Sequence, residues 1–130
     1  MAVLNQEPGR DMVLPLLDQS VISTVNWAEV VNIAMTGRFR DAATGQRRDD
    51  VLAAVIEARE LLEHFGLRTA DFTLPQAELS GFISPFTRPY GLSLGDRACL
   101  SLGLALDLPI LTAERDWLRL DVGADVRLIR

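Results

Sequence analysis

Short runs of β-branched and apolar residues alternate along this chain with longer segments of helical periodicity, and that alternation limits the folds open to it. Four runs predict strands, at Ser20–Ser23, Phe72–Leu74, Pro109–Ala113 and Asp125–Ile129. Segments with helical spacing separate the first three of these predicted strands. Strands that alternate with helices predict an α/β domain with a parallel sheet covered on both faces.

The helical segments are marked by apolar residues at three- and four-residue spacing and by helix-ending residues. The predicted helices cover residues 26–35, a segment from Asp49 or Asp50 to just before Gly66, residues 75–83 and residues 94–106, with shorter helical pieces at 11–17 and 115–120. The segment 38–50 predicts an exposed basic loop or helix hairpin, and 87–95 predicts a loop.

The composition is that of a globular protein with one domain. Of the 130 residues, 48% are hydrophobic and 24% are charged, close to the average for soluble domains. We therefore predict a single domain over residues 1–130. The one cysteine, Cys99, excludes an internal disulfide and a multi-cysteine zinc site. The longest apolar stretch, Ala98–Leu106, is shorter than the roughly 20 residues of a membrane span, so we expect a cytoplasmic protein without a membrane partner.

The charges are uneven in kind, since all thirteen cations are arginines and they face eighteen anions, for a net charge of −5. This net charge argues against a protein that coats nucleic acid without sequence preference. Arginine binds phosphate through two hydrogen bonds, so a local groove for RNA or DNA stays compatible with the composition. Candidate phosphate contacts are Arg38, Arg40, Arg47 and Arg48, and a solvated basic loop is the simpler explanation for them.

Four carboxylates occupy positions where an open parallel sheet places its sites. Glu29 is in the first turn of a helix after a strand, Asp96 begins the most apolar helix, and Glu114 and Asp116 directly follow a buried strand. Two carboxylates about 4 Å apart repel by about 4 kcal/mol at an effective dielectric of 20, so such a cluster takes up a proton, an arginine or a cation. Oxygen ligands without His or Cys suit Mg²⁺ or Mn²⁺, and a pair of such ions hydrolyses phosphodiesters.

The same four residues also have a purely structural explanation. The helix dipole favours carboxylates in a first turn, which accounts for Glu29 and Asp96. Glu114 and Asp116 suit a solvated turn that caps the short helix after it. From spacing alone, a metal site and ordinary helix ends both stay open.

Three strings of residues are more specific than spacing, and they occur in this order: Ser23-Thr24-Val25-Asn26-Trp27-Ala28-Glu29-Val30, Gly91-Leu92-Ser93-Leu94-Gly95-Asp96-Arg97-Ala98-Cys99-Leu100, and Leu111-Thr112-Ala113-Glu114-Arg115-Asp116-Trp117. Together they resemble the PIN-domain family, in particular the VapC-type ribonuclease toxins of type II toxin–antitoxin systems. The resemblance runs from the first residues to the last, and the string from Leu92 to Ala98 is its most specific part.

The resemblance implies a three-layer α/β/α domain with a central parallel sheet, acting as an Mg²⁺-dependent endoribonuclease. It further implies a homodimer and a cognate VapB-type antitoxin as partner. Glu29 and Asp96 are implied members of the acidic metal site. The family's fourth acidic position, usually Asp, is Glu114 in this chain, and Asp116, two residues on, is a substitute or an assistant there.

The family's first strand, which ends in an Asp, has no counterpart in this sequence. We therefore expect an N-terminally truncated PIN-like domain with two unpaired strand edges where the central strand would lie. A start codon placed too late, with Met1 an internal residue, is one explanation, and a real truncation is the other. The alternative function is a catalytically inactive PIN-like module that binds an antitoxin, and a third is a nuclease of the same fold that acts on structured DNA.

Overall fold

A computed structural model of the chain describes residues 8–38 and 48–129. Its elements in chain order are α1 (Arg10–Val13), β1 (Val21–Ser23), α2 (Thr24–Arg38), α3 (Arg48–His64), β2 (Arg68–Ala70), α4 (Leu74–Phe82), α5 (Ser84–Thr87), α6 (Leu94–Leu106), β3 (Ile110–Thr112) and β4 (Val126–Leu128). Turns of 3-10 helix cover Leu14–Gln19, Arg88–Tyr90 and Arg115–Arg119. The alternation of strands and helices confirms the predicted α/β class.

Within the described ranges the strands form two two-stranded sheets, β1 with β2 and β3 with β4, where one central sheet was expected. The strands β3 and β4 are parallel, with Ile110 opposite Val126. The Ile110 N–H donates to the Asp125 carbonyl at 2.7 Å. Because successive residues of a strand direct their backbone groups to opposite sides, the N–H and C=O of Leu111 point away from β4.

The chain divides into two compact units. The first comprises Met1–Val21 and Trp27–Arg68, and the second comprises Ile22–Asn26 and Thr69–Arg130. The single domain expected over residues 1–130 stays a prediction. None of the described helices is both long enough and apolar enough to span a bilayer.

In the first unit, α3 ends in a Schellman motif, as the sequence predicts from Gly66. The Gly66 N–H donates to the Glu63 carbonyl at 2.9 Å, and the Leu67 N–H donates to the Leu62 carbonyl at 3.0 Å. Gly66 has a φ of +84°, and a Cβ there would lie 2.8 Å from the Cα of Asp18. Both the backbone conformation and the close approach therefore require glycine.

The core of the second unit is built around α6. The five buried residues of this core are Ile83, Leu92, Leu100, Ile110 and Trp117. Gly103 brings α6 close to β3, because a Cβ there would overlap the Ile110 Cγ1 and lie 2.6 Å from its Cδ1. This contact fixes the helix that carries Asp96 against the strand that precedes Glu114.

The strand predicted at Phe72–Leu74 is wrong, since the structure places this strand earlier, at Arg68–Ala70. Thr73 is instead the N-cap of α4, where it forms a capping box with Gln76, and Pro75 stands in the first turn. Proline lacks an N–H and fixes φ near the helical value, so it suits a helix start. The β-branched and aromatic character of the run reflects this start and not a strand.

Two predicted helix boundaries also need correction. α2, which was predicted over residues 26–35, begins at Thr24 and continues to Arg38. α3 begins at Arg48, just before Asp49 and Asp50, the two residues at which its start was predicted.

The segment predicted as a loop over 87–95 is partly helical. It begins within α5 and continues through the 3-10 turn Arg88–Tyr90, and each of these short elements has a proline in its first turn. Most of the predicted basic segment at 38–50, including Arg40 and Arg47, lies outside the described residues. The other predicted strands and the helices at 75–83 and 94–106 agree with the structure to within two residues.

Candidate functional site

Asp96 is the third residue of α6, and its carboxylate is tied to the N-cap residue Ser93. The Ser93 Oγ accepts a hydrogen bond from the Asp96 N–H at 3.1 Å. In return, Asp96 Oδ2 accepts from the Ser93 N–H at 2.7 Å and from the Ser93 Oγ at 2.8 Å. The two residues thus form a reciprocal capping box. Within the described part of the chain, Asp96 Oδ1 has no hydrogen-bond or ion-pair partner.

The turn that carries this capping box is held on two further sides. The Asn26 Nδ2, at the start of α2, donates to the Gly95 carbonyl at 2.8 Å. The Arg97 Nη1 donates to the Leu92 carbonyl at 3.0 Å. All these residues belong to the second unit. The backbone on both sides of Ser93 is therefore fixed by side chains outside the box.

Glu114 and Asp116 lie on the turn after β3, as the sequence predicts. The Glu114 N–H donates to the Thr112 Oγ1 at 3.1 Å, so this buried hydroxyl shapes the turn. Asp116 forms an ion pair with Arg119 at 3.6 Å, and both side chains are largely exposed. An exposed pair of this kind contributes little to stability, so it leaves Asp116 accessible to another cation.

The first-turn position predicted for Glu29 is wrong, because α2 begins at Thr24 and has no acidic residue in its first turn. Glu29 is exposed and belongs to the first unit, whereas the other three predicted carboxylates belong to the second. Within residues 8–38 and 48–129, no three side chains of His, Cys, Asp or Glu are grouped so that they could hold a metal ion. The donor type of Asp96 and Glu114 fits a hard cation such as Mg²⁺, but the described residues do not bring three ligands together. The shared metal site of Glu29, Asp96, Glu114 and Asp116 stays a prediction.

Sequence reasoning missed the residues that orient Asp96. Ser93 had a recognisable signal, because a serine three residues before an acidic residue at a helix start is the pattern of a capping box. Asn26 had none, because its partner Gly95 is 69 residues away along the chain. Only the folded chain shows that Asn26 supports this turn.

A separate polar region lies at the other end of α6. A cavity of about 110 Å³ there is lined in part by Asp107 and Asp125. Asp125 forms an ion pair with Arg127, and the Arg127 Nη2 lies 2.7 Å from the Asp125 Oδ2. This hydrogen bond, together with the charge of Asp125, raises the pKa of Arg127. None of the four predicted site residues lines this cavity.

No protein-family model matches the chain, and no curated protein matches it either. Among solved structures, the chain is similar to a crystal structure of a member of the VapBC family of toxin–antitoxin systems, VapBC-5, from Mycobacterium tuberculosis. The two chains are 18% identical, the match covers 75% of this chain and 78% of that chain, and the TM-score is 0.44. A likeness of this size assigns neither a family nor an activity to this chain.

Proposed function

We propose that this chain is a metal-dependent endoribonuclease, the toxin component of a toxin–antitoxin pair, in which Asp96 is a central carboxylate of the site. The observation that carries this proposal is the state of that carboxylate. Its Oδ2 is held by Ser93, its Oδ1 has no partner among the described residues, and it lies in the string that most resembles the VapC-type toxins. A half-buried carboxylate presented in this way is suited to a cation or to a polar substrate.

The proposed ligands of the cation are Asp96, Glu29, Glu114 and Asp116, and the proposed cation is Mg²⁺, with Mn²⁺ as the alternative. Mg²⁺, when bound, supplies positive charge beside the phosphodiester and its leaving oxygen. The role of the protein's own residues is to hold carboxylate oxygens in place. Asp96 does this through Ser93, and the turn of Glu114 is fixed by the Thr112 hydroxyl.

The proposed partners are an RNA substrate, a cognate VapB-type antitoxin and a second copy of the chain, in the cytoplasm. The net charge of −5 supports a basic antitoxin segment, since opposite charges favour fast and specific association. The same charge requires the RNA to be bound at a local site and not over the whole surface.

Asp96→Asn tests this proposal with little disturbance to the helix start. The asparagine oxygen still accepts a hydrogen bond from the Ser93 N–H, so the cap is retained while the negative charge is lost. We expect RNA cleavage by the full chain in Mg²⁺ to fall by at least about 100-fold, because a metal ligand contributes several kcal/mol of transition-state stabilisation. Chelation by EDTA is expected to abolish cleavage by the unchanged protein.

The matched control is Asp121→Asn, which removes an exposed carboxylate outside the proposed site and is expected to cleave like the wild type. Equal cleavage by the Asp96→Asn and wild-type proteins would contradict the proposal. Cleavage of a structured DNA of the same sequence is measured in parallel. Preferential cleavage of the DNA would show that DNA, and not RNA, is the substrate.

One observation favours a second candidate function, a catalytically inactive module that binds an antitoxin. The described residues do not bring three potential metal ligands together, so they do not by themselves complete a nuclease site. This alternative predicts that purified wild-type protein binds its antitoxin but cleaves neither RNA nor DNA in Mg²⁺ or Mn²⁺. Measurable Mg²⁺-dependent cleavage that is lost on Asp96→Asn would exclude it.

A further inference from the structure

An exposed apolar surface of the second unit lies on α4 and α5. Leu74 and Phe82, the first and last residues of α4, are each 73% exposed, and Phe86 in α5 is 53% exposed. The two phenylalanine rings lie beside each other, with their centroids 6.4 Å apart. Single exposed apolar residues are ordinary on a protein surface, but large apolar side chains that adjoin one another there are typical of a surface that binds a partner.

The spacing of these side chains places them in one row. Leu74, Glu78 and Phe82 follow one another at four-residue spacing in α4, and residues four apart lie on the same side of a helix. Phe86 continues the row, because its ring contacts that of Phe82. Rows at this spacing are the ridges with which two helices pack against each other. We call these four residues the Phe82 ridge.

The core of the second unit is contacted by another side of α4. The buried residues of this helix are Gln76 and Ser80, and Leu79 packs against the core. None of these three positions belongs to the Phe82 ridge. The packing of the unit therefore does not account for two exposed phenylalanines in contact with each other.

The charges at this surface have opposite signs on the two sides of Phe82. Glu78 precedes Phe82 by four residues, Arg88 follows it by six, and both are exposed. Within residues 8–38 and 48–129, neither of these two side chains forms an ion pair. An acidic and a basic group so placed can each be paired by a partner with the same charges in the reverse order.

A second copy of this chain in antiparallel orientation meets that requirement. A helix rises about 1.5 Å per residue, so Glu78 lies about 6 Å before Phe82 along the chain direction and Arg88 about 9 Å after it. With a two-fold axis at Phe82, Arg88 of the second copy lies about 3 Å beyond Glu78, a difference that an arginine side chain can span. The symmetry repeats this contact, whereas a parallel copy would place like charges opposite each other.

We propose that the Phe82 ridge is a dimer interface on which a second copy packs in antiparallel orientation, with Phe82 of both copies at the two-fold axis and two reciprocal ion pairs between Glu78 and Arg88. This inference rests on the proposed function in one respect, since a second copy is among the proposed partners. The charges favour a second copy over a basic antitoxin segment, because such a segment would meet Arg88 as well as Glu78, and like charges repel.

The experiment measures the dissociation constant of the dimer by sedimentation equilibrium of the full chain, for the wild type, Phe82→Lys and Leu106→Lys. Phe82 and Leu106 are the exposed last residues of α4 and α6, and a cation is favourable at a helix C-terminus, so both variants are expected to keep the wild-type circular dichroism. Phe82→Lys places two cations at the axis and is expected to weaken the dimer at least about 100-fold. Leu106→Lys, outside the ridge, is expected to dimerise like the wild type.

Charge reversal tests the antiparallel arrangement. Glu78→Arg and Arg88→Glu each place like charges opposite each other and are each expected to weaken the dimer about tenfold. The double variant reverses both charges, so each ion pair forms again with its signs exchanged. Its dissociation constant is expected to return to within about threefold of the wild-type value.

Three results would each overturn the inference: a wild-type chain that is monomeric at every concentration measured, a dimer that survives Phe82→Lys, or a double variant as weak as the single reversals. If the monomeric wild type, but not Phe82→Lys, binds a basic amphipathic peptide, the ridge belongs to a basic partner instead. RNA cleavage separates this inference from the proposed function. If Asp96→Asn cleaves like the wild type while Phe82→Lys is monomeric, only the proposed function fails. If Asp96→Asn loses cleavage while Phe82→Lys stays dimeric, only this inference fails.

Discussion

Gly103→Ala is the change that most directly tests how α6 is fixed against β3. Gly103 lies in the interior of α6, and the Cβ of an alanine would overlap the Ile110 Cγ1 and lie 2.6 Å from its Cδ1 and 3.3 Å from the Leu108 carbonyl oxygen. Carbon atoms in ordinary contact are about 3.5–4.0 Å apart. Ile110 is only 4% exposed and belongs to the core of the second unit, so it has little room to move.

Two effects of opposite sign set the magnitude. Alanine in place of glycine in a helix interior stabilises by about 1 kcal/mol. Insertion of a methyl group into a packed core costs about 1–3 kcal/mol. The overlap here involves Cγ1, in the middle of a buried side chain, and not only its flexible end, which places the cost in the upper part of that range. We expect a net loss of about 1–2 kcal/mol in the free energy of unfolding.

The assay is urea unfolding followed by circular dichroism, with Gly81→Ala as the matched control. Gly81 is also in a helix, α4, but a Cβ there would meet nothing within 4 Å. The control is therefore expected to gain about 0.5–1 kcal/mol. In an Ile110→Ala background, which removes the overlapping atoms, Gly103→Ala is expected to lose most of its cost. The reasoning is refuted if Gly103→Ala is as stable as Gly81→Ala, or if the Ile110→Ala background leaves its cost unchanged.

Two further predictions concern single residues and use the same assay. Asp107 ends α6 with a φ of +53°, so Asp107→Gly is expected to gain about 0.5–1 kcal/mol. Asp121→Gly, at a position without a positive φ, is expected to lose stability, and a loss in Asp107→Gly as well would contradict the argument. The buried Ser80 hydroxyl has no hydrogen-bond partner among residues 8–38 and 48–129, so Ser80→Ala is expected to keep or raise stability by about 1 kcal/mol. Ser101 donates to the Arg97 carbonyl at 2.7 Å, so Ser101→Ala is expected to lose about 0.5–1.5 kcal/mol, and a larger loss from Ser80→Ala would show that its hydroxyl has a partner.

Local signals explain which parts of the fold could be predicted. Gly66 ends α3 because the residue itself tolerates the left-handed conformation, and that property is visible in the sequence. The apolar helix over Leu94–Leu106 and the strand around Ile110 have equally local patterns. Each of these predictions depends on residues within one or two turns of one another, and each is confirmed.

The strand predicted at Phe72–Leu74 failed because two local signals conflict there. Phenylalanine and threonine favour a strand, whereas Thr73 before Pro75 and Gln76 favours a helix start. In the folded chain the helix start prevails, because Thr73 and Gln76 form a capping box and Pro75 stands in the first turn. The Phe72 N–H donates instead to the side chain of Thr24, 48 residues away. A contact at that separation leaves no trace in the local sequence.

The sequence by itself determined the α/β alternation and the absence of an internal disulfide. These follow from residue type and short spacing. Only the tertiary structure decided that Ser93 occupies Oδ2 of Asp96 and leaves Oδ1 without a partner in the described part of the chain, that Asn26 supports this turn, and that Gly103 is required by Ile110. The physical reason is that hydrogen-bond geometry and close packing depend on atoms that the fold brings together, and their positions are set by the whole chain and not by neighbouring residues.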